Sequence, residues 1–301
     1  MYEIKYDGYR CLLYCSKEEV RMKSRNGQEL GNSFPEVKHH ITALLTVWTP
    51  FLPFVLDGEL CILRNDKKAD FEAIQLRGRL KNIEQVEKKS KQAPATFLAF
   101  DCLMKNSEWM TKLPLESRKE ILSSLLSYGD VEDTIIPLRP LNKIQVQTDL
   151  SFIRSLVTES DGEGIVAKQI RSTWSAGTRT KQWLKWKNIK KGAFILTAYD
   201  QSNGFFHVAA IDSHEKLTSA GLFSHGLESE EREALIQIVK NNTSHQEGTV
   251  FYIPPFLCVE LEYLELYKEQ LRQPRFSRFL LNMHWEDCTW ENVKKNSTPS
   301  Q

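Results

Sequence analysis

Glu3-Ile4-Lys5-Tyr6-Asp7-Gly8-Tyr9-Arg10 stands at the start of the chain, and its reading decides the fold. Tyr2, Ile4 and Tyr6 alternate with Glu3, Lys5 and Asp7, the period of a strand whose side chains take opposite faces in turn. Asp7-Gly8 breaks the run, which resumes at Leu12-Leu13-Tyr14 as strand, turn, strand. Lys5 therefore sits in an apolar strand beside a turn, with Glu3 and Asp7 on its own side. A lysine is a nucleophile only without its proton, and desolvation or neighbouring cations favour that form. A solvated edge-strand lysine fits the same residues, so this segment alone does not choose.

Three further segments carry charge into apolar surroundings. In Val55-Leu56-Asp57-Gly58-Glu59-Leu60, two carboxylates flank a glycine within a strand that reads as buried. Such groups are costly unless paired, hydrogen-bonded or metal-bound, so Glu59 suits a ribose hydroxyl or a metal-bound water; solvated acids at a bulge are the plainer alternative. In Asp161-Gly162-Glu163-Gly164-Ile165-Val166-Ala167-Lys168, an acid between two glycines enters a short strand. The glycines allow close backbone approach, and Glu163 suits a hard cation. Alternation turns Lys168 to the face opposite Glu163. In Trp183-Leu184-Lys185-Trp186-Lys187 both lysines share one face, and from Lys168 to Lys191 there are eight basic residues and no acidic one. Such a stretch neutralises phosphate, or is simply a solvated basic strand.

Outward from these segments, Asn26-Gly27 signals a hairpin turn. Helical spacing runs from Phe34 to Trp48, from Phe71 to Leu80, and over 115–128 and 149–159, with a charged, solvated stretch up to Gln92 and a strand from Thr96 to Met104. Beyond Lys190 the character changes to short β runs, Phe194–Tyr199, Phe205–Ile211, Leu217–Phe223 and Val259–Tyr267, with one helix from Ser229 to Lys240. That pattern suits a small barrel of the OB type. The expected domains are 1–189, 190–291 and a polar tail at 292–301. The strand pattern begins without a lead-in, as in a truncated chain or one with a very short N-terminus.

Composition narrows the class. With 301 residues, 41% hydrophobic and 26% charged, the chain is an ordinary globular sequence, and a net charge of +1 says nothing about a nucleic-acid partner. Cys11, Cys15, Cys61, Cys102, Cys258 and Cys288 show no zinc spacing, and reduced, buried thiols are expected. There is neither a signal-peptide pattern nor an apolar run of roughly 18 residues. The expected place is the cytoplasm, with no membrane partner.

In order along the chain, these segments resemble the covalent nucleotidyltransferase superfamily of polynucleotide ligases and RNA capping enzymes. Lys5-Tyr6-Asp7-Gly8-Tyr9-Arg10 matches K-x-D-G-x-R, and Ser24-Arg25-Asn26-Gly27 is similar to the ligase S-R-N-G element. Asp57-Gly58-Glu59, Phe97 to Leu103, Glu163 to Lys168 and Trp183 to Lys187 resemble D-G-E, F-x-x-F-D-x-L, E-G-x-V-x-K and W-x-K-x-K. Within the superfamily the similarity leans to ATP-dependent DNA ligases of the bacterial LigD, end-joining kind. Gln75 to Lys81 and Leu271-Arg272-Gln273-Pro274 add to it.

The resemblance implies an α+β fold. An ATP-grasp-like nucleotidyltransferase (adenylation) domain rich in antiparallel sheet would be followed by an OB-fold β-barrel. It implies that Lys5 takes AMP from ATP; that Glu3 and Ile4 meet adenine and Phe100 stacks on it; and that Arg10, Arg25 and Glu59 hold the ribose and the nick phosphate. Glu163, with Glu59, would bind Mg²⁺ or Mn²⁺, and Lys185 and Lys187 would neutralise the α-phosphate. Asp7, Asp57, Lys168, Arg272 and Arg275 are weaker candidates. Nicked duplex DNA, Ku and an end-processing polymerase are the implied partners of a monomeric, nucleoid-associated enzyme. Two features depart from the family pattern: only four residues precede Lys5, and 272–278 lacks the usual Asp-Lys pair.

Rival readings remain. A capping guanylyltransferase would take its label from GTP, an RNA ligase would prefer RNA at the nick, and a non-catalytic DNA-binding module would take no label at all. An NAD-dependent ligase is disfavoured, because zinc-spaced cysteines and a preceding nicotinamide-binding domain are both missing.

Overall fold

The computed structural model describes residues 1–128, 141–178 and 180–297. Its first unit, Met1–Lys187, begins with β1 (Tyr2–Ile4), β2 (Tyr9–Cys15), β3 (Val20–Ser24), α1 (Pro35–Leu44), β4 (Phe54–Cys61), β5 (Leu63–Asn65), β6 (Lys68–Ala69), α2 (Phe71–Gly78) and α3 (Ile83–Gln92). It continues with β7 (Thr96–Lys105), β8 (Glu108–Trp109), α4 (Leu115–Tyr128), β9 (Leu141–Lys143), α5 (Leu150–Glu159), β10 (Gly164–Lys168) and β11 (Trp183–Lys187).

A six-stranded sheet has the order β3-β2-β4-β7-β8, with β9 parallel to β7. Its core joins Leu13, Met22, Leu56 and Phe97 to Phe34, Val37, Ile41 and Trp48. The expected helix over 34–48 is shorter than its pattern: α1 ends at Leu44, and Trp48 is held by its own N–H to the Leu44 carbonyl at 3.0 Å. The stretch read as merely solvated before Gln92 is a helix, α3, capped by Asn82, whose side chain accepts from the Gln85 N–H at 3.0 Å. Val86 is its one buried residue, so no apolar period marks it.

A three-stranded antiparallel sheet, β1-β10-β11, positions the site. Its register sets Glu3 against Val166 and Val166 against Lys185, while Gly164 lies against Lys187 and Lys168 against Trp183. Strand alternation then sorts the faces. Tyr2, Ile4, Ile165 and Trp186 form one cluster with Ile153 and Val157 of α5. The other face carries Glu3, Lys168, Lys185 and Lys187.

The second unit, Asn188–Gln301, holds β12 (Lys190–Asp200), β13 (Phe205–Ile211), β14 (Leu217–Phe223), α6 (Ser229–Asn241), β15 (His245–Glu247), β16 (Val250–Tyr252), β17 (Cys258–Tyr263), β18 (Leu266–Tyr267), β19 (Gln270–Leu271), β20 (Arg275–Phe279) and α7 (Trp290–Ser297). The pairing β14-β13-β12-β17-β20 is antiparallel, and a parallel bridge from His225 to Arg275 brings the last strand back towards the third. This order fits the expected OB-type barrel. The single strand expected over Val259–Tyr267 is two, β17 and β18. The tail is not all tail: α7 buries Trp290 and Val293 in the core of this unit, and of the tail 298–301 lie outside the described residues. All six cysteines are free and buried.

Candidate active site

β1 stops at Ile4, one residue short of Lys5, yet the Lys5 N–H still donates to the Gly164 carbonyl at 2.8 Å. This continues the β1–β10 ladder. It puts Lys5 beside a residue with no side chain, and the Lys5 ammonium meets the Glu163 carboxylate in an ion pair, both largely screened from water. A glycine is required at 164: with φ +155, an added Cβ would stand 2.1 Å from the Trp186 carbonyl oxygen.

From the adjoining sheet, β2 and β4 set Arg10 opposite Glu59 and Leu12 opposite Asp57. Arg10 donates to both Asp57 oxygens, at 3.0 and 2.6 Å, and the indole of Trp174 adds a third donor at 3.3 Å. Asp57 is thus a fully enclosed anchor for Arg10. Among the described residues Glu59 has no such ion pair: burial pushes its carboxyl up to about 8, Asp7 and Asp57 add to this, and Lys5 and Arg10 oppose it. Partial burial lowers the Lys185 ammonium, as does Lys5, against Glu59 and Glu163. Lys5, Arg10, Glu59, Glu163 and Lys185 therefore share one electrostatic neighbourhood.

Glu3 leads to a second cluster. Its carboxylate is 2% exposed and pairs with the Lys168 ammonium at 2.5 Å and with that of Lys119. Burial raises the Glu3 carboxyl, but the two lysines outweigh it and hold it below the ordinary range. Lys168 also lies 4.3 Å from the Phe100 ring centre and 4.2 Å from that of Trp183, inside reach of a cation–π contact. Arg10 stands 6.0 Å from the same Phe100 ring. Lys168 thus belongs beside Phe100 and Glu3, on the sheet face away from Ile165, as alternation requires.

Lys119 was not among the sequence candidates. It lies in α4 next to Arg118, within a segment the sequence marked only as helical. Arg118 is fully buried, with its guanidinium on both Asp101 oxygens at 2.8 and 2.9 Å. That pair fixes α4 to β7 one residue from Phe100. The only sequence signal was the invitation of two adjacent cations beside Leu115, Leu122 and Leu125, which periodicity alone cannot resolve.

The remaining candidates are less gathered. Arg25 is exposed in the turn closed by Asn26 and Gly27. Lys187 is exposed, across from Gly164. Arg272 and Arg275 belong to the second unit, where Arg272 pairs with Glu265 at 3.1 Å and Arg275 is an exposed residue of β20. Arg179, part of the basic stretch, lies outside the described residues.

A divalent cation fits this donor chemistry. Among the described residues no three His, Cys, Asp or Glu side chains gather as a ready cage. Mg²⁺ characteristically uses one or two carboxylates plus phosphate oxygens, and Glu163 and Glu59 are two such carboxylates beside a lysine pair suited to phosphate.

The mixed α+β fold, with one charged sheet face fed by a second sheet, defines a nucleotidyltransferase of the ligase type. The chain belongs to the ATP-dependent DNA ligase family, whose domain model matches residues 1–187. It is 34% identical over 300 residues to the bifunctional non-homologous end joining protein LigD of Bacillus subtilis (strain 168), covering 99% of this chain and 49% of that protein. It is 28% identical over 292 residues to a DNA ligase of Natronomonas pharaonis, covering 91% and 50%. The chain therefore spans about half the length of the curated relatives it matches. A solved mycobacterial DNA ligase D complexed with ATP and MES has the same fold, with a TM-score of 0.53 at 21% identity over 96% of this chain and 91% of that one. No helix among the described residues is long and apolar enough to cross a membrane.

Proposed function

We propose that this chain is the catalytic core of an ATP-dependent DNA ligase that seals nicks through a lysyl-AMP intermediate. The observation that carries the reading is the Lys5–Glu163 ion pair, formed where β1 and β10 meet. After losing a proton, the Lys5 amine attacks the α-phosphorus of ATP: the N–P bond forms, and the P–O bond to pyrophosphate breaks. A 5′-phosphate oxygen of the nick then attacks that phosphorus and the N–P bond breaks. Lastly the 3′-hydroxyl attacks the 5′-phosphorus, and AMP leaves.

Each step needs placement and charge neutralisation more than new covalent chemistry. Lys185 and Lys187 neutralise the α-phosphate, Arg10 and Arg25 serve ribose and nick phosphate, and Phe100 with Glu3 and Ile4 receives adenine. Glu163 and Glu59 would hold Mg²⁺ or Mn²⁺, which would supply Lewis acidity towards phosphate oxygens. Asp7 adds charge to the Glu59 side, and Arg272 and Arg275 are assigned to DNA or pyrophosphate. We place the activity in bacterial double-strand break repair, which the end-joining name of the Bacillus relative supports, and take Ku and an end-processing polymerase as the partners. The first unit is the adenylation domain and the second the OB domain.

The test is intact-mass measurement after incubation with ATP and Mg²⁺ or Mn²⁺. A gain of one AMP, lost in Lys5→Ala, is expected. Label from GTP in place of ATP points to capping chemistry. Absence of any adduct, together with failure to seal pre-adenylylated nicked DNA, overturns the reading.

A further inference from the structure

Strands β5 and β6 form a small hairpin, with Leu63 opposite Ala69 and Asn65 opposite Lys68. Residues Arg64 to Lys68 carry none of the motifs read from the sequence. The hairpin nevertheless touches the chain on both sides of the Lys5–Glu163 pair. On the Lys5 side, Tyr6 is 5% exposed, and its hydroxyl donates to the Asp66 carbonyl at 2.6 Å. On the Glu163 side, the Lys68 ammonium forms an ion pair with Asp161.

The backbone between these anchors is tight. Asp161 has φ 54, in the left-handed region, which aspartate enters more readily than most side chains. Gly162 follows, and an added Cβ there would stand 3.2 Å from the Lys67 carbonyl oxygen, so the 161–163 turn runs hard against the hairpin tip. The hairpin base is itself fixed, because Leu63 and Ala69 pack against the buried cluster of Tyr6, Leu98, Phe100 and Ile144.

We infer that the 63–69 hairpin is a clamp that sets Lys5 against Glu163, with Lys68 as a positioning residue for nucleotidyl transfer to Lys5. Lys68 acts through Asp161 on the residue two places on. The inference rests on the lysyl-AMP reading above.

Magnitudes separate this role from a merely structural one. Lys68 is 13% exposed but Asp161 is 41% exposed, so without Lys68 the carboxylate stays open to water and little global stability is lost. A small displacement of a reacting group, by contrast, lowers a rate steeply. Loss of Lys68 should therefore slow the chemistry while leaving the fold nearly as stable.

The test uses the full chain, ATP with Mg²⁺, and single-turnover mass detection of the AMP adduct in wild type, Lys68→Met, Lys68→Arg, Asp161→Asn and the Lys68→Met/Asp161→Asn pair. Lys68→Met is expected to lower the maximal rate about tenfold or more while half-saturating ATP moves less than about twofold. Its Tm should stay within about 3 °C of wild type. Lys68→Arg should recover to within about threefold of wild type, and the pair should be no slower than either single variant. Label on wild type with an unchanged rate in Lys68→Met overturns the clamp alone, as does a Lys68→Arg variant as slow as Lys68→Met or a pair whose losses multiply. Absence of label on wild type overturns the clamp together with the reading it rests on.

Discussion

Lys119 reaches out of a helix to end on the carboxylate of Glu3, a buried ion pair between the two residues that no local pattern connects. Glu3 sits between two ammoniums, since Lys168 holds its other oxygen. The carboxylate is therefore the centre of the cluster. Glu3→Gln leaves two buried cations facing each other and is expected to cost about 3–5 kcal/mol. Lys119→Met leaves the Glu3–Lys168 pair intact and near neutral pH should cost less than about 1 kcal/mol. Urea denaturation of both variants checks the order; equal losses would show that Glu3 is not central.

The same cluster gives a pH signature. Burial, with Lys168 adding to it and Glu3 opposing it, brings Lys119 down from 10.5 to about 8. The unfolded chain then binds more protons between those values, so stability rises with pH across the window. This contribution is complete above 10.5 and is lost as pH falls to about 8. The stability of wild type minus that of Lys119→Met should grow over this range, by on the order of 3 kcal/mol. Urea midpoints at pH 7.5, 9 and 10.5, buffers chosen by those limits, read it directly, and a constant difference would contradict it.

How much of this was legible without the fold depends on how local the signal is. Lys5, Glu59, Glu163 and Lys185 could be found because each lies on a strand or turn whose alternation is short-range, and the sheets then bring them together. Lys168 was legible as a strand residue facing away from Glu163, while its seat on Glu3 and Phe100 needed the β1–β10 register. Lys119 and Arg118 were illegible, because two adjacent cations on a helix look solvated until the rotation of α4 on β7 is known. α3 was missed for the opposite reason: with only Val86 buried, its helix is made by caps and charge and has no apolar stripe. The pairing of β17 with both β12 and β20 depends on contacts between distant segments, so the barrel could be expected only as a class.

Nucleotide affinity tests the adenine contact proposed for Phe100. Its ring is 9% exposed, with the Lys168 ammonium at 4.3 Å and the Arg10 guanidinium at 6.0 Å. If adenine stacks here, Phe100→Leu keeps apolar volume and loses the aromatic contribution. The dissociation constant for ATP should then rise about two- to tenfold, with the maximal rate of adduct formation much less affected. Isothermal titration of Lys5→Ala and of Lys5→Ala/Phe100→Leu isolates binding from chemistry. Unchanged affinity would move the base away from Phe100.

Gly164 joins the three strands of the site in one position. It lies against Lys187, it follows Glu163, and its carbonyl accepts the Lys5 N–H. Gly164→Ala would place a methyl 2.1 Å from the Trp186 carbonyl oxygen at φ +155. Neither side can yield cheaply, because Ile165 and Trp186 are paired in the ladder and seated on α5. Overpacking together with backbone strain should cost about 2–4 kcal/mol. The displacement also parts Glu163 from Lys5 and shifts Lys185 and Lys187, so adduct formation should fall further than the loss of folded protein explains. Gly177→Ala is the control: it too has a positive φ, 69, but nothing stands within 4 Å of the added Cβ. Its cost should stay near about 1 kcal/mol, with the adduct rate per folded molecule unchanged. Measuring both rates at a temperature where each variant is folded separates strain at a surface turn from strain at the strand crossing proposed to carry the chemistry. Equal rates in the two variants would mean that Gly164 serves the fold and not the alignment of Lys5 with Glu163.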